Sequence, residues 1–227
     1  MSMAQQNIEC VGIIMDGNRR FAKAQGIPVF EGHRAGYEVL KTIARTARDL
    51  GVVHLIAYAF STENWKRSEE EVSYLMKLLR FVLTSEAKEL AKENIRVRFI
   101  GERARFDTDI KEGMEKMERE TSGGQMALTI ALSYGGRAEI VDAVRRMGDQ
   151  AKDATEETFS AHLWTAGTPD PSVVIRTGGE QRLSNFLPWQ TVYSELSFTK
   201  TLWPDFSPEE FKAILAEVGM REKRYGA

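Results

Sequence analysis

Ile13-Ile14-Met15-Asp16-Gly17-Asn18-Arg19-Arg20 decides how this chain is read: an apolar run stops abruptly in an acid, a glycine, an amide and two cations. A continuous apolar run marks a strand buried on both faces, and ligands of open α/β sheets gather at the carboxyl ends of such strands. Gly17 lets the backbone approach a ligand and Asn18 tolerates tight-turn geometry, while Arg19 and Arg20 can grip phosphate oxygens through forked hydrogen bonds. Asp16 is the discordant member. A carboxylate in a phosphate-binding loop repels its ligand unless a divalent cation lies between them, so Asp16 reads as a Mg²⁺ ligand. On these eight residues alone, an Asp-Gly turn followed by two solvated arginines is the competing reading.

The same pattern recurs twice downstream. Val52 to Phe60 is a near-continuous apolar run delivering Ser61-Thr62-Glu63-Asn64-Trp65-Lys66-Arg67. There Asn64 and Glu63 can orient or relay a proton, Arg67 can meet an anion, and Trp65 can cover an apolar substrate or simply wall the loop. Val173-Val174-Ile175 runs into a polar loop in which Arg176, Arg182 and Ser184 are spaced to surround one anion. That loop lacks the lysine and spacing of a Walker P-loop, which argues against nucleoside triphosphate hydrolysis. Glu195 is an acid inside a short strand, a placement that needs a cation or a donor. A helix is expected from Gly32 to about Leu50, with His33 at its start, either meeting an anion beside free backbone N–H groups or serving as a structural hydrogen-bonder.

With 227 residues, 42% of them hydrophobic, the chain reads as one domain over residues 1–227. A formal net charge of −2 lacks the basic excess of a nucleic-acid binder, so any polyanion site is local. The single cysteine, Cys10, excludes an intramolecular disulfide and reads as a small core residue. No start resembling a signal peptide and no apolar run of ~18 residues lead to the expectation of a cytoplasmic protein, with peripheral membrane contact left open. A helix expected from about Glu69 to Glu93 carries two apolar faces: Val72, Leu75, Met76, Leu79 and Leu83 on one, Tyr74, Leu78, Phe81 and Val82 on the other. A surface helix needs one such face. The second meets a partner chain or an internal channel, or the helix is deeply buried. Alternating strands and helices give an α/β fold with a mostly parallel central sheet flanked by helices. Two acids, an amide and several arginines on one rim, beside surplus apolar surface, suit two diphosphates and a hydrocarbon tail in a tunnel, and hence prenyl transfer.

From Ile13 to Gly226 the chain resembles the cis-prenyltransferase family, the undecaprenyl diphosphate synthases or isoprenyl transferases. The resemblance lies in Ile13–Arg20, Gly32-His33, Tyr58–Arg67, Tyr134–Arg137, Ile175–Trp189 and Tyr193 to Phe206. It implies a homodimeric, Mg²⁺-dependent transferase condensing isopentenyl diphosphate with an allylic diphosphate such as farnesyl diphosphate. The implied product is a Z-polyprenyl diphosphate of medium or long chain, an undecaprenyl-type lipid carrier. By motif, Asp16 resembles the Mg²⁺-linked aspartate, and Gly17, Asn18, Arg19, Arg20 and His33 the allylic diphosphate cradle, with Phe21 and Phe60 alongside. Asn64 resembles the residue assisting loss of the isopentenyl proton, with Ser61, Thr62, Glu63, Trp65 and Arg67 around the substrates. Arg176, Arg182 and Ser184 resemble the isopentenyl diphosphate clamp, and Glu195 a second metal-associated acid. Arg224-Tyr225-Gly226 is similar to a C-terminal Arg-X-Gly that reaches across the dimer. The chain departs from the pattern at Val29, where many members carry arginine, at Gln181, a histidine in some, and at Arg19 and Phe21, commonly glycine and tryptophan. Two alternatives accompany the resemblance: a short-chain or irregular prenyl diphosphate synthase, and a non-catalytic partner subunit of the same fold.

Overall fold

The computed structural model describes residues 8–221, so the Arg224-Tyr225-Gly226 end lies outside the described residues. Strand β1 (Cys10–Ile14) is buried throughout, as its unbroken apolar run predicts. It is followed by α1 (Asn18–Gln25), α2 (Val29–Asp49), β2 (His54–Ser61), α3 (Glu69–Ser85) and α4 (Ala87–Lys92). Then come β3 (Ile95–Ile100), α5 (Thr108–Glu120), β4 (Met126–Tyr134), α6 (Gly136–Met147), α7 (Glu156–Ser160), β5 (Val173–Arg176), β6 (Glu195–Phe198) and α8 (Pro208–Gly219). The six strands form one sheet in the order β3-β4-β2-β1-β5-β6, and every pairing is parallel. The chain leaves β1 toward β2 on one side and returns to place β5 on the other, so the carboxyl end of β1 is a topological switch point. Asp16 lies two residues past that end.

The sheet is packed on both faces. Val11, Ile13, Leu55, Ala57, Val97, Leu128 and Ile175 face the larger core, under α2, α3, α5 and α8. Cys10, Ile14, Ile56, Tyr58, Ala131 and Val174 face a second core with Tyr134, Phe186 and Leu187. β3 lies at the sheet edge, as its alternating charge suggests.

Three expectations are corrected. The segment after Asp16 is a helix rather than an extended loop. Gly17, at φ 124°, turns the chain into α1, and Gly26 closes it in the left-handed conformation. Helix α1 packs on a small-residue stripe of α2: a side chain on Gly32 would collide with the Asn18 carbonyl, and one on Gly36 with Asn18 Oδ1 and the Trp203 ring. Helix α2 begins at Val29, just after Pro28, so His33 lies beyond the first turn and not beside free helix-terminal N–H groups. The expected Glu69–Glu93 helix is broken at Glu86. Thr84 and Ser85 donate their hydroxyls back to carbonyls one turn earlier, a local competition that bends or ends helices. Its start is as predicted, with the Ser68 hydroxyl accepting the Glu71 N–H. Among the described residues no helix is long and apolar enough to cross a membrane.

Candidate active site

At the switch point, Asp16 is held through its backbone before its side chain does anything. Its N–H donates to Thr177 Oγ1 at 3.0 Å; its carbonyl accepts the Thr177 hydroxyl at 2.7 Å and the Trp203 N–H at 3.0 Å. Thr177 and Trp203 are both buried, and the Trp203 indole N–H is tied to the Gly36 carbonyl at 2.7 Å. The Asp16 carboxylate then accepts two guanidinium groups, Arg20 at 3.0 Å on Oδ1 and Arg176 at 2.9 Å on Oδ2. Arg20 also donates to the carbonyl of Gly178, which stands at φ 83° and where a side chain would meet the guanidinium. Arg176 is buried to 5% side-chain exposure and donates further to the Arg182 carbonyl at 2.5 Å and to Ser184 Oγ at 2.7 Å. Its Nε has no partner among the described residues, leaving one buried donor for an incoming acceptor. The loop carrying Ser184 is strained, with Ser184, Asn185 and Leu187 all at positive φ.

A second set of donors, two guanidinium groups and an imidazole, converges on one acid of α3. Glu71, in the first turn of α3, accepts Arg67 at 2.8 Å and His33 Nε2 at 3.2 Å, with Arg19 Nε 3.9 Å away. Burial holds the His33 pKa below its ordinary value. The hydrogen bond and charge of Glu71 oppose that shift, while Arg67 and Arg19 reinforce it. The ring is therefore neutral near pH 7 and donates Nε2–H to the carboxylate.

The end of β2 supplies the third cluster. Its register with β4 shifts around Phe60, a bulge that re-aims the strand end. Ser61 then caps a short 3-10 segment, Thr62–Lys66, in which the Asn64 side-chain oxygen accepts the Ser61 N–H at 3.0 Å. Burial pushes the Glu63 carboxyl up, but hydrogen bonds from its own backbone amide, Ser61, Asn185 and Thr62 outweigh it and hold the group below its ordinary value. Trp65 is a wall. Its indole N–H donates to Ser133, its ring stands edge-on to Phe60 at 4.8 Å, and the Arg105 guanidinium covers it.

Beneath these clusters an apolar cavity of about 160 Å³ runs between the sheet and helices α2 and α3. Its lining includes Met15, Asn18 and His33, which adjoin the two cation clusters in sequence or by contact, Leu75, Leu79 and Val82 of α3, and Leu128 and Met117. An apolar cavity of this order stays dry and takes a hydrocarbon guest. The cavity takes Leu75, Met76 and Leu79 from one apolar face of α3 and Leu78 and Val82 from the other, whereas Phe81 is exposed and Tyr74 packs on Phe30, so the second face is only partly accounted for by the cavity.

The structure brings Asp16, Arg20, Arg176 and Ser184 into direct contact, and Arg19, His33 and Arg67 into a neighbouring cluster. The Arg182 side chain stands apart: it pairs with Glu180 in solvent, and only its carbonyl joins the site. Glu195 does not meet Asp16 within one chain. Its register partner is Val173, three residues before Arg176 and about 10 Å toward the amino end of β5, and its carboxylate is paired with Arg221. Among the described residues no three acids, histidines or cysteines are grouped to hold a metal. Asp16, oriented by cations, fits a magnesium ion that arrives on a diphosphate, since Mg²⁺ is commonly held by one or two carboxylates plus substrate phosphates. Glu71, Thr177 and Trp203 hold the candidate site together, and the sequence does not single them out for it: the spacing of Glu71 from Ser68 marks it only as part of a helix cap, and Thr177 and Trp203 stand only beside the loops.

A family model described as "Putative undecaprenyl diphosphate synthase" matches residues 14–226. An isoprenyl transferase of Porphyromonas gingivalis is 46% identical over 95% of this chain and 88% of its own. One from Thermotoga maritima is 43% identical over 95% of both. Among solved structures, lavandulyl diphosphate synthase from Lavandula x intermedia, in complex with dimethylallyl diphosphate, superposes with a TM-score of 0.93 at 35% identity, covering 97% of this chain and 98% of that one. A probable undecaprenyl diphosphate synthase from Campylobacter jejuni gives 0.84 at 30% identity, covering 98% and 100%. The match runs through the strand ends that carry Asp16, Asn64 and Arg176, and the chain belongs to the undecaprenyl diphosphate synthase family of prenyltransferases.

Proposed function

We propose that the protein condenses isopentenyl diphosphate with an allylic diphosphate, farnesyl diphosphate by preference, to give a Z-polyprenyl diphosphate of medium or long chain. The observation that carries this reading is the junction of two environments. An apolar cavity of about 160 Å³, lined in part by Met15, Asn18 and His33, adjoins a rim crowded with arginines. A diphosphate held on the rim can leave its hydrocarbon tail in this dry cavity.

In this reading Arg19, Arg20 and His33 hold the allylic diphosphate, while Arg176 and Ser184 orient the isopentenyl diphosphate from the β5 side. The arginines are already aligned by Asp16 and Glu71, so they meet charge developing on the departing diphosphate with little reorganisation. Asn64, whose side-chain oxygen accepts the Ser61 N–H, assists loss of the isopentenyl proton in this reading. Asp16 would hold a magnesium ion, whose contribution is to neutralise the diphosphate. Incubating purified protein with Mg²⁺, farnesyl diphosphate and labelled isopentenyl diphosphate is expected to give labelled polyprenyl diphosphates. Folded protein that extends no primer ends the proposal and favours the non-catalytic partner subunit.

The working unit in this proposal is a homodimer. Val192 and Leu196 expose apolar surface beside and on the edge strand β6, which a second copy would cover, and sedimentation at micromolar concentration tests it. A second reading, a short-chain or irregular synthase, is favoured by the close superposition on the lavandulyl diphosphate synthase. Chromatography of the products by length separates the two.

A further inference from the structure

Resting on the proposed reaction, we infer that Asn185 is a positioning residue, which locks the loop of the isopentenyl diphosphate clamp to the loop that carries Asn64. Its Oδ1 accepts the Arg137 N–H at 2.9 Å, its Nδ2 donates to Glu63 Oε1 at 3.3 Å, and its carbonyl accepts the Gly136 N–H at 2.8 Å. The amide can face only one way, because a backbone N–H needs an acceptor and an ionised carboxylate needs a donor. One residue thereby joins three segments: the loop after β5, the 3-10 segment after β2 and the start of α6.

The approach is built into the neighbouring turn. A side chain on Gly135 would strike Asn185 Nδ2 and Thr62 Oγ1, and one on Gly136 the Pro188 ring, so the paired glycines between β4 and α6 leave room for the clamp loop. Asn185 itself stands at φ 66°, a left-handed conformation that asparagine adopts more readily than most residues. The rest of the loop is fixed elsewhere: the Tyr58 ring stacks on Phe186 at 4.7 Å, and Leu187 is fully buried in the same second core.

Asn185 follows Ser184, whose hydroxyl accepts Arg176, and Glu63 precedes Asn64. The bond between Asn185 and Glu63 therefore ties the neighbours of two groups that act on one substrate: its diphosphate at Ser184 and Arg176, its departing proton at Asn64. Each loop keeps its own internal contacts without that bond. Asn64 still accepts the Ser61 N–H, and Arg176 still reaches Ser184 and Asp16. What is lost is the spacing between the loops, and a reactant held at both ends reacts well only at one spacing. Burial pushes the Glu63 carboxyl up, and the Asn185 amide is among the donors that keep it ionised.

Steady-state kinetics, with each substrate varied in turn, is the test. Asn185→Asp keeps the size and the acceptor for Arg137 but replaces the donor to Glu63 by a like charge. The kcat/KM for isopentenyl diphosphate is expected to fall about tenfold, while KM for farnesyl diphosphate changes less than about twofold. On a Glu63→Gln background the exchanged amide can donate back to the new carboxylate, and the same Asn185→Asp substitution is expected to cost less than about twofold. An equal loss on both backgrounds overturns the inference. So does an unchanged kcat/KM in folded Asn185→Asp, or an equal effect on farnesyl diphosphate. Should Asn185→Asp fail to fold, Asn185→Gly decides, because it accepts the same φ and drops the side chain; a fall of about tenfold is expected there too, and an unchanged value overturns the inference. A wild-type protein that makes no product overturns the reaction and this inference with it, whereas a productive wild type with unaltered variants overturns this inference alone.

Discussion

The two cation clusters of the rim are built on different foundations. Around Asp16, each partner is fixed by strand ends and buried backbone contacts: Arg176 belongs to β5, and Thr177 and Trp203 clamp the Asp16 peptide. Around Glu71, Arg67, His33 and Arg19 come from the start of α3, from α2 and from α1, and their meeting depends on how those helices dock. A sheet end supplies rigid placement, and helix ends supply placement that adjusts. The first cluster should therefore tolerate substitution least.

The sharpest test is Asp16→Asn, which keeps shape and removes charge. Turnover with isopentenyl and farnesyl diphosphates is expected to fall by about 10³, with circular dichroism unchanged. Near-normal activity would break the assignment of Asp16. Next, Arg176→Met strips the buried partner from Asp16 together with the bonds to Arg182 and Ser184, and urea unfolding should show a loss of about 3 kcal/mol. In the helix-borne cluster, Glu71→Gln is expected to cost about 1 kcal/mol, a Tm lower by ~2–4 °C, and to reduce kcat/KM about tenfold. A loss as large as that at Arg176 would erase the contrast.

The smallest effect is a pH dependence. Because the folded pKa of His33 lies below its ordinary 6.5, the unfolded chain binds its proton first as pH falls. His33 therefore contributes fully above about pH 6.5. That contribution is lost progressively below it, until the folded pKa is passed. His33→Gln should flatten this part of the Tm profile. His54, also held down mainly by burial, remains in both proteins and cancels in the difference.

What could be read in advance follows the same division. Strands β1, β2 and β5 announce themselves as apolar runs, and each ends in the cluster predicted for it, because a strand's carboxyl end is fixed by local chemistry. Helix α1 was not legible, since eight residues become helical here by docking on Gly32 and Gly36. Glu71 reads as a cap from its spacing, and its carboxylate gains a role only when α2 comes alongside. Arg182 has suitable spacing, but the positive-φ loop turns its side chain toward Glu180. For Glu195 the deciding quantity is strand register, which pairs it with Val173 and which no local pattern encodes.

The cavity touches only one face of the sheet; Cys10, Ile56, Phe186 and the rest of the opposite core contribute nothing to its lining. Substitutions in α2 and α3 can thus retune what the protein makes while the other face goes on anchoring the molecule. Descendants of one ancestral sequence could diverge in product by editing a single wall, with the foundations left standing.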